Sequence, residues 1–476
     1  MEHKEVYLLS KDINDNIKHF NSVLNTNDSF DIVHREIEIA GKKACLYCVE
    51  GLSKSELMER ILDFMMGAGN DKLPQSADEV AKRMIPYGGA GTIKDSSDIV
   101  TNVLTGISVL FIDGYDVAFT IDCREYPARG VEEPAKDRVM RGSRDGFVET
   151  LVCNTAMIRR RIRTPDLRME IYKVGESSKT DIALCYMGER VDKAFLEDIR
   201  NRIKTMKVDA LTMNQESFAE MLYRSRWINP FPKFKYSERP DATAACILDG
   251  SVAVLIDNSP AAMILPGSIF DIAEEADDYY FPPVTGTYLR LSRIMINILT
   301  VFLTPTWLLL ISNPQLMPKW LEFTFIKDTV NIPVVLQFLI LEFSIDGLRL
   351  AAINTPNMLS TPLSVMAALI IGDFAASSGW FNKEAMLYMA FVAIANYVQV
   401  SFELGYALKF MRLIMLVLTA AFNEIGYITG VVFVFVCIFN NKTVSGKNYL
   451  YPLIPFNKRK LIRRIFRVNI RSVNRS

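Results

Sequence analysis

The stretch IMINILTVFLTPTWLLLIS, residues 294–312, decides the architecture of this chain. It runs nineteen residues without a charge, roughly 28 Å as a helix and long enough to cross the hydrocarbon of a bilayer. Arg290 and Arg293 stand just before it, and no Lys or Arg follows until Lys319. The bias of basic residues toward the cytoplasmic ends of spans predicts that the part before it stays in the cytoplasm. MEHKEVYLLSKDIND, at the start, lacks the long apolar core of a secretory signal, which agrees.

The 476 residues have room for roughly two to four domains. Lys and Arg total 54 and balance 54 Asp and Glu, yet the charge is segregated. Residues 285–440 are dense in Leu, Ile, Val, Phe and Met, whereas residues 441–476 hold ten basic side chains and no acidic one. The expected order is an α/β cytoplasmic region, an all-α polytopic membrane domain at 285–440, and a basic cytoplasmic tail at 441–476. With 24 Gly, 20 Pro and 7 Cys, collagen-like, disordered and disulfide-framework classes are excluded. The cysteines are scattered and odd in number, which suits a reducing compartment. Cys45 and Cys48 have redox or zinc spacing, but no second pair and no patterned His accompanies them, so they read as residues of a buried strand. His3, His19 and His34 are the only histidines, which counts against a histidine-based catalyst or metal centre elsewhere.

Two parts of the cytoplasmic region resemble each other. CLYCV at 45–49 precedes an amphipathic segment at 52–66, and IALCYM at 182–187 precedes another at 191–206. GISVLFID at 106–113 and GSVAVLID at 250–257 each open a hairpin. This predicts two similar α/β subdomains, at 42–125 and 171–284, after an N-terminal extension at 1–41. Between them lies an Arg/Glu-rich linker at 126–170. It concentrates Arg129, Arg138, Arg141, Arg144 and Arg159–Arg161 beside Glu132, Glu133, Asp137, Asp145 and Glu149. Arg forks pair bidentately with carboxylates, so Arg129, Arg141, Arg144, Glu149, Arg159, Arg160 and Arg161 are expected in an interface network. Phosphate or nucleic-acid binding is the sharper alternative, opposed by the interleaved acids and by glycine spacing that fits no phosphate loop.

Further candidate spans are 358–376, 385–402 and the long 408–439, either one tilted helix or a pair broken near Asn423-Glu424. The tail belongs in the cytoplasm with the first domain, so the number of crossings should be even: four most simply, six otherwise. IPVVLQFLILEFSIDGLRL at 332–350 decides between these counts, and it is no ordinary span. Glu342, Asp346 and Arg349 share one helical face, at i, i+4 and i+7. Each charge at mid-bilayer costs about 2.5–3.5 kcal/mol on insertion scales, so the three must pair, lie near an interface or face water. Either Arg349 pairs with Asp346 and the trio locks a bundle, or the face lines an aqueous path formed by several subunits. Asp373, Glu403, Lys409, Arg412 and Glu424 also make the region too polar for a passive anchor.

YPARG at 126–130, RGSRDGFVE at 141–149, NTAMIRRRIR at 154–163, SKTD at 178–181 and ERPD at 238–241 stand in an order and spacing that resemble the A-subunit family of spore germination receptors (GerA type). The downstream hairpin and the polar membrane segment fit as well, so the resemblance covers roughly residues 106–456. Nutrient-receptor members usually carry Pro at the position of Ser143, and the wording here is closer to the AF-type branch of the family. The resemblance implies a multi-pass protein of the dormant spore's inner membrane with a two-part cytoplasmic domain. It implies a homo-oligomer, a pentamer, forming an ion channel that opens early in germination, together with a partner membrane subunit of the receptor or AF-type complex. Besides membrane lipid and these subunits no partner is implied: no nucleic acid, no cofactor, no metal and no catalytic residue. A non-conducting scaffold and a membrane-anchored enzyme acting on a phosphorylated ligand are the competing expectations.

Overall fold

A computed structural model describes residues 7–67, 73–85, 87–126, 142–223, 229–275, 277–354 and 377–467. The chain divides into two units, residues 1–224 with 234–266, and residues 225–233 with 267–476.

The first unit is built from two copies of one design. Each begins with a helix, α1 (Ile13–Leu24) and α5 (Leu151–Arg161). A hairpin follows, β1 (Ile32–Ile39) with β2 (Lys42–Val49), and β6 (Leu167–Val174) with β7 (Thr180–Met187). Next come α2 (Ser55–Met66) and α3 (Ala77–Arg83) in the first copy, and α6 (Lys193–Thr205) and α7 (Gln215–Leu222) in the second. Each copy then adds a strand and a helix, β3 (Ala90–Ile93) with α4 (Ser96–Leu104), and β8 (Lys235–Ser237) with α8 (Pro240–Leu248). It closes on a hairpin, β4 (Ser108–Ile112) with β5 (Ala118–Ile121), and β9 (Val252–Ile256) with β10 (Ala262–Leu265). The two antiparallel sheets have equivalent orders, β1-β2-β4-β5-β3 and β6-β7-β9-β10-β8.

Helices cover both faces of the first sheet, which explains why its central strands are continuously apolar instead of alternating. Cys45, Tyr47 and Val49 pack with α1 and α4, while Ala44 and Leu46 pack with α2 and α3. Burial pushes the Cys45 thiol up to about 12 and the Cys48 thiol up to about 11, so this pair is poorly suited to redox exchange.

One detail carries the duplication to single atoms. Asn16 accepts from the Ser10 amide at 2.9 Å and donates to the Ser10 carbonyl at 2.7 Å. Asn154 does the same with Val148, at 2.8 Å and 2.6 Å. Asp113 then accepts from the Ile13 amide at the start of α1, as Asp257 accepts from Leu151 at the start of α5. The helix of each copy is thus tied to its own closing hairpin. The expected boundaries shift accordingly: residues 1–41 hold the first copy's helix and edge strand, and residues 126–170 hold the helix that opens the second. Residues 267–284, expected at the end of the second copy, belong to the helical unit.

The second unit is helical. Two short helices, α9 (Ile269–Ile272) and α10 (Asp277–Tyr280), lead into α11 (Pro283–Ser312). α12 (Val334–Asn354), α13 (Lys383–Tyr397), α14 (Phe402–Phe439) and α15 (Lys458–Ile465) follow. Among the described residues, α11 and α14 are long and apolar enough to cross a membrane. The expected segment at 358–376 lies outside the described residues, as does Asp373.

The 38-residue α14 is not one rod. Asn423 has φ 52° and ψ −125°, and a Cβ on Gly430 would meet the Met415 Cα at 3.3 Å. Fifteen residues of continuous helix would separate those positions by about 22 Å, so the chain doubles back at Asn423. A Cβ on Gly426 would run into the Leu418 carbonyl, and the spacing Gly426-xxx-Gly430 is what lets the two arms approach. The arm at 402–422 runs with α11, because Arg412 reaches the Thr300 carbonyl and Asn423 pairs with Asn313. α13 runs against α11, with Tyr388 on Trp307 and Gln399 on Asn297.

Candidate functional site: charges buried among the apolar helices

α12 runs antiparallel to the first arm of α14, and this sets its acids opposite that arm's bases. Arg412 donates to Glu342 Oε1 at 2.7 Å, and Lys409 Nζ lies 3.3 Å from the same oxygen. Lys409 also pairs with Asp346. Arg412 holds the Thr300 carbonyl of α11 at 2.9 Å, so one guanidinium ties three helices together. Glu342, Lys409 and Arg412 are buried, and Asp346 is partly exposed. Glu342 Oε2 and Arg412 Nε are buried without a hydrogen-bond partner among the described residues. An orphaned polar atom in such surroundings costs about 1–3 kcal/mol, more when charged.

The spacing of Glu342, Asp346 and Arg349 does place all three on one face, but Arg349 does not pair with Asp346 as one reading expected. Its guanidinium sits 5.5 Å from the Tyr397 ring centre and 5.6 Å from that of Tyr406, a cation–π seat between α13 and α14. The physical reason is access. Lys409 faces Asp346 from the opposite helix, while Arg349 reaches past it to the two rings. Nothing in the sequence matches Lys409 and Arg412 to α12; their spacing of three in an apolar helix is the available signal that they share a face. The outer face of α12 carries Leu336, Phe343 and Leu350, all exposed and apolar.

A second charged layer lies at the start of α11. Arg290 and Arg293, read above as a topology signal, are buried in ion pairs. Arg290 pairs with Glu274 at 2.9 Å and Asp278 at 3.2 Å, and Arg293 with Glu275 at 2.5 Å and Asp278 at 3.0 Å.

In the first unit, Arg159 is fully buried and grips Asp31 through both carboxylate oxygens, at 2.7 Å and 3.1 Å. Asp31 belongs to the first copy, so this pair joins the two. Arg161 pairs with Asp145 at 2.5 Å, and Arg160 lies over the Tyr126 ring at 4.5 Å. Arg144 and Glu149 are exposed. Arg129 and Arg141 lie outside the described residues. Arg239 of ERPD, outside the expected network, is buried and donates to the Ser143 carbonyl at 3.0 Å. Burial would push the Asp145 carboxyl up, but hydrogen bonds from Arg161 and Ser143 outweigh it and hold the group below its ordinary range. Arg159, Arg161 and Arg239 are taken up by carboxylates and carbonyls of their own chain.

Residues 18–476 match the family described as Bacillus/Clostridium GerA spore germination protein. The chain belongs to the GerA family. Stage V sporulation protein AF of Bacillus subtilis is 34% identical over 447 residues, covering 94% of this chain and 90% of the relative. Spore germination protein KA of the same organism is 25% identical over 447 residues, covering 92% and 82%. The crystal structure of the N-terminal domain of the A subunit of the Bacillus megaterium spore germinant receptor GerK3 aligns with a TM-score of 0.43 and 23% identity, over 55% of this chain and 97% of that one. This GerA-family chain joins an α/β region of two antiparallel sheets to a helical region in which, among the described residues, two apolar helices are of membrane-crossing length.

Proposed function

We propose that this GerA-family protein is a multi-pass subunit of the spore inner membrane. With further copies of itself and a partner membrane subunit, it forms an ion-conducting assembly that opens early in germination. The observation that carries this reading is the cluster of Glu342, Asp346, Lys409 and Arg412, packed among helices of membrane-spanning character. Four charges at that depth are too expensive for a plain anchor. Lys409 touches both carboxylates, and such a shared partner can exchange between them when α12 moves against α14. The relatives' names, stage V sporulation and spore germination, support the setting.

Six crossings fit the helix directions better than four. α11 and the first arm of α14 run one way, while α12, α13 and the second arm of α14 run the other. Six crossings keep both ends of the protein on the cytoplasmic side.

Purified full-length protein in liposomes tests the proposal. Ion flux without turnover of nucleotides or phosphoesters is the expected result, and liposomes that stay tight at normal protein incorporation, both with and without the partner membrane subunit, would refute conduction. The scaffold reading draws on a specific observation, that Glu342 is held by two bases at once. It predicts tight liposomes. The enzyme reading is the weakest, because Arg159 and Arg161 of the linker are engaged by Asp31 and Asp145.

A further inference from the structure

α15 has the sequence KRKLIRRI, residues 458–465. At 100° per residue, Leu461, Ile462 and Ile465 fall on one side, and Arg459, Lys460, Arg463 and Arg464 on the other. The helix is fastened to the start of α11. Arg464 pairs with Asp271 at 2.5 Å and with Glu274, Arg290 donates to the Arg463 carbonyl at 2.9 Å, and the Thr287 hydroxyl accepts from the Arg467 amide at 3.1 Å. Apolar side chains stand exposed on both partners: Phe456 (68%), Ile462 (41%) and Phe466 (47%) at the tail, and Val284 (83%) and Tyr288 (68%) on α11. Lys458 and Arg459 are exposed beside them.

We propose that α15 is an interfacial helix that binds the anionic headgroups of the bilayer crossed by α11. This rests on the reading of α11 as a span. Phe456, Ile462 and Phe466 enter the headgroup boundary, while Lys458 and Arg459 meet lipid phosphates. Three observations select a lipid surface as the occupant. The ion pairs to residues 271–274 fix α15 beside the first turns of α11, where a span enters the membrane. The face combines apolar and basic groups, the composition that holds a helix in the interface plane of an anionic leaflet. The tail's ten basic residues without an acid oppose docking of a second, equally basic tail.

The test is hydrogen–deuterium exchange on the full chain in nanodiscs of phosphatidylcholine alone or with added phosphatidylglycerol. Amides of residues 460–466 should exchange about tenfold more slowly in the anionic discs. High salt should erase the difference, as should the double variant Lys458→Gln with Arg459→Gln, which keeps Arg464 on its acids. Equal exchange in both discs, with α11 protected in each, would overturn the lipid proposal and leave the membrane reading intact; α15 would then dock on Asp271 and Glu274 alone. Rapid exchange of α11 itself in both discs would remove the span, and the proposal with it.

Discussion

Arg159 is the residue whose loss the α/β region should feel most. Replacing it with Ala leaves Asp31 buried without its partner, a change that costs about 3–5 kcal/mol. Arg144→Ala, at an exposed position, should stay within about 0.5 kcal/mol. Denaturant midpoints of the full-length variants check both, and an Arg159→Ala protein as stable as its parent would show that the pair does not join the copies. A titration tests a second pair. Burial would push the Glu170 carboxyl up, but hydrogen bonds from Arg200, Tyr172 and Tyr186 override it and hold the group below the ordinary glutamate range. A depressed acid stabilises fully above its unfolded value of about 4.3, and that stability is lost as pH falls through the folded value. Midpoints measured downward from about pH 6 should therefore drop below that range, and Glu170→Gln should flatten the drop. The run of three arginines at 159–161 stands out in the sequence, but their separate partners do not. Helical period sends Arg159 inward, Arg160 onto a ring and Arg161 back to Asp145, and Asp31 lies 128 residues away from Arg159.

At the scale of elements, the duplication was readable wherever strands were apolar and turns were marked by Gly or Asn. The opening helices are not readable in this way, because the arginine run at the end of α5 hides its apolar face and because α1 sits in a polar stretch. The break at Asn423-Glu424 was visible as a polar interruption, whereas the reversal was not, since it depends on Gly426 and Gly430 meeting the earlier arm. Spin labels at Phe410 and Phe435, both exposed, separate the alternatives. A continuous helix would hold the two backbones about 38 Å apart, and the hairpin holds them near the 8–10 Å spacing of packed helices plus the label arms. A long distance in the reconstituted protein would rule out the hairpin. Gly426→Leu should widen the distance distribution, because its side chain cannot fit against the Leu418 carbonyl.

For the whole molecule, the proposed even number of crossings puts both ends on one side. Cysteines introduced at Glu149 and Arg459, each exposed, should be labelled from the same face of sealed vesicles, and opposite faces would refute that topology. The charged cluster then bears on conduction. Glu342→Gln keeps size and hydrogen bonding while removing the charge, so assembly should survive; if the carboxylate shapes the potential of an ion path, cation selectivity should fall. Arg412→Ala acts differently, because it removes one of the two bases that compensate the buried Glu342 and releases the Thr300 carbonyl. A loss of about 3–5 kcal/mol should lower protein abundance before any flux is measured. The charged face of α12 was legible from spacing, but its partners were not, because pairing depends on α12 running antiparallel to α14. Two bases now compensate Glu342, so the pure joint and the ion path differ in one observable. A joint leaves selectivity untouched in Glu342→Gln while Arg412→Ala disassembles the protein, whereas a path changes selectivity at full abundance. Reading protein level and ion selectivity in the same liposomes for both variants decides between them, and unchanged selectivity in Glu342→Gln at normal level would leave only the joint.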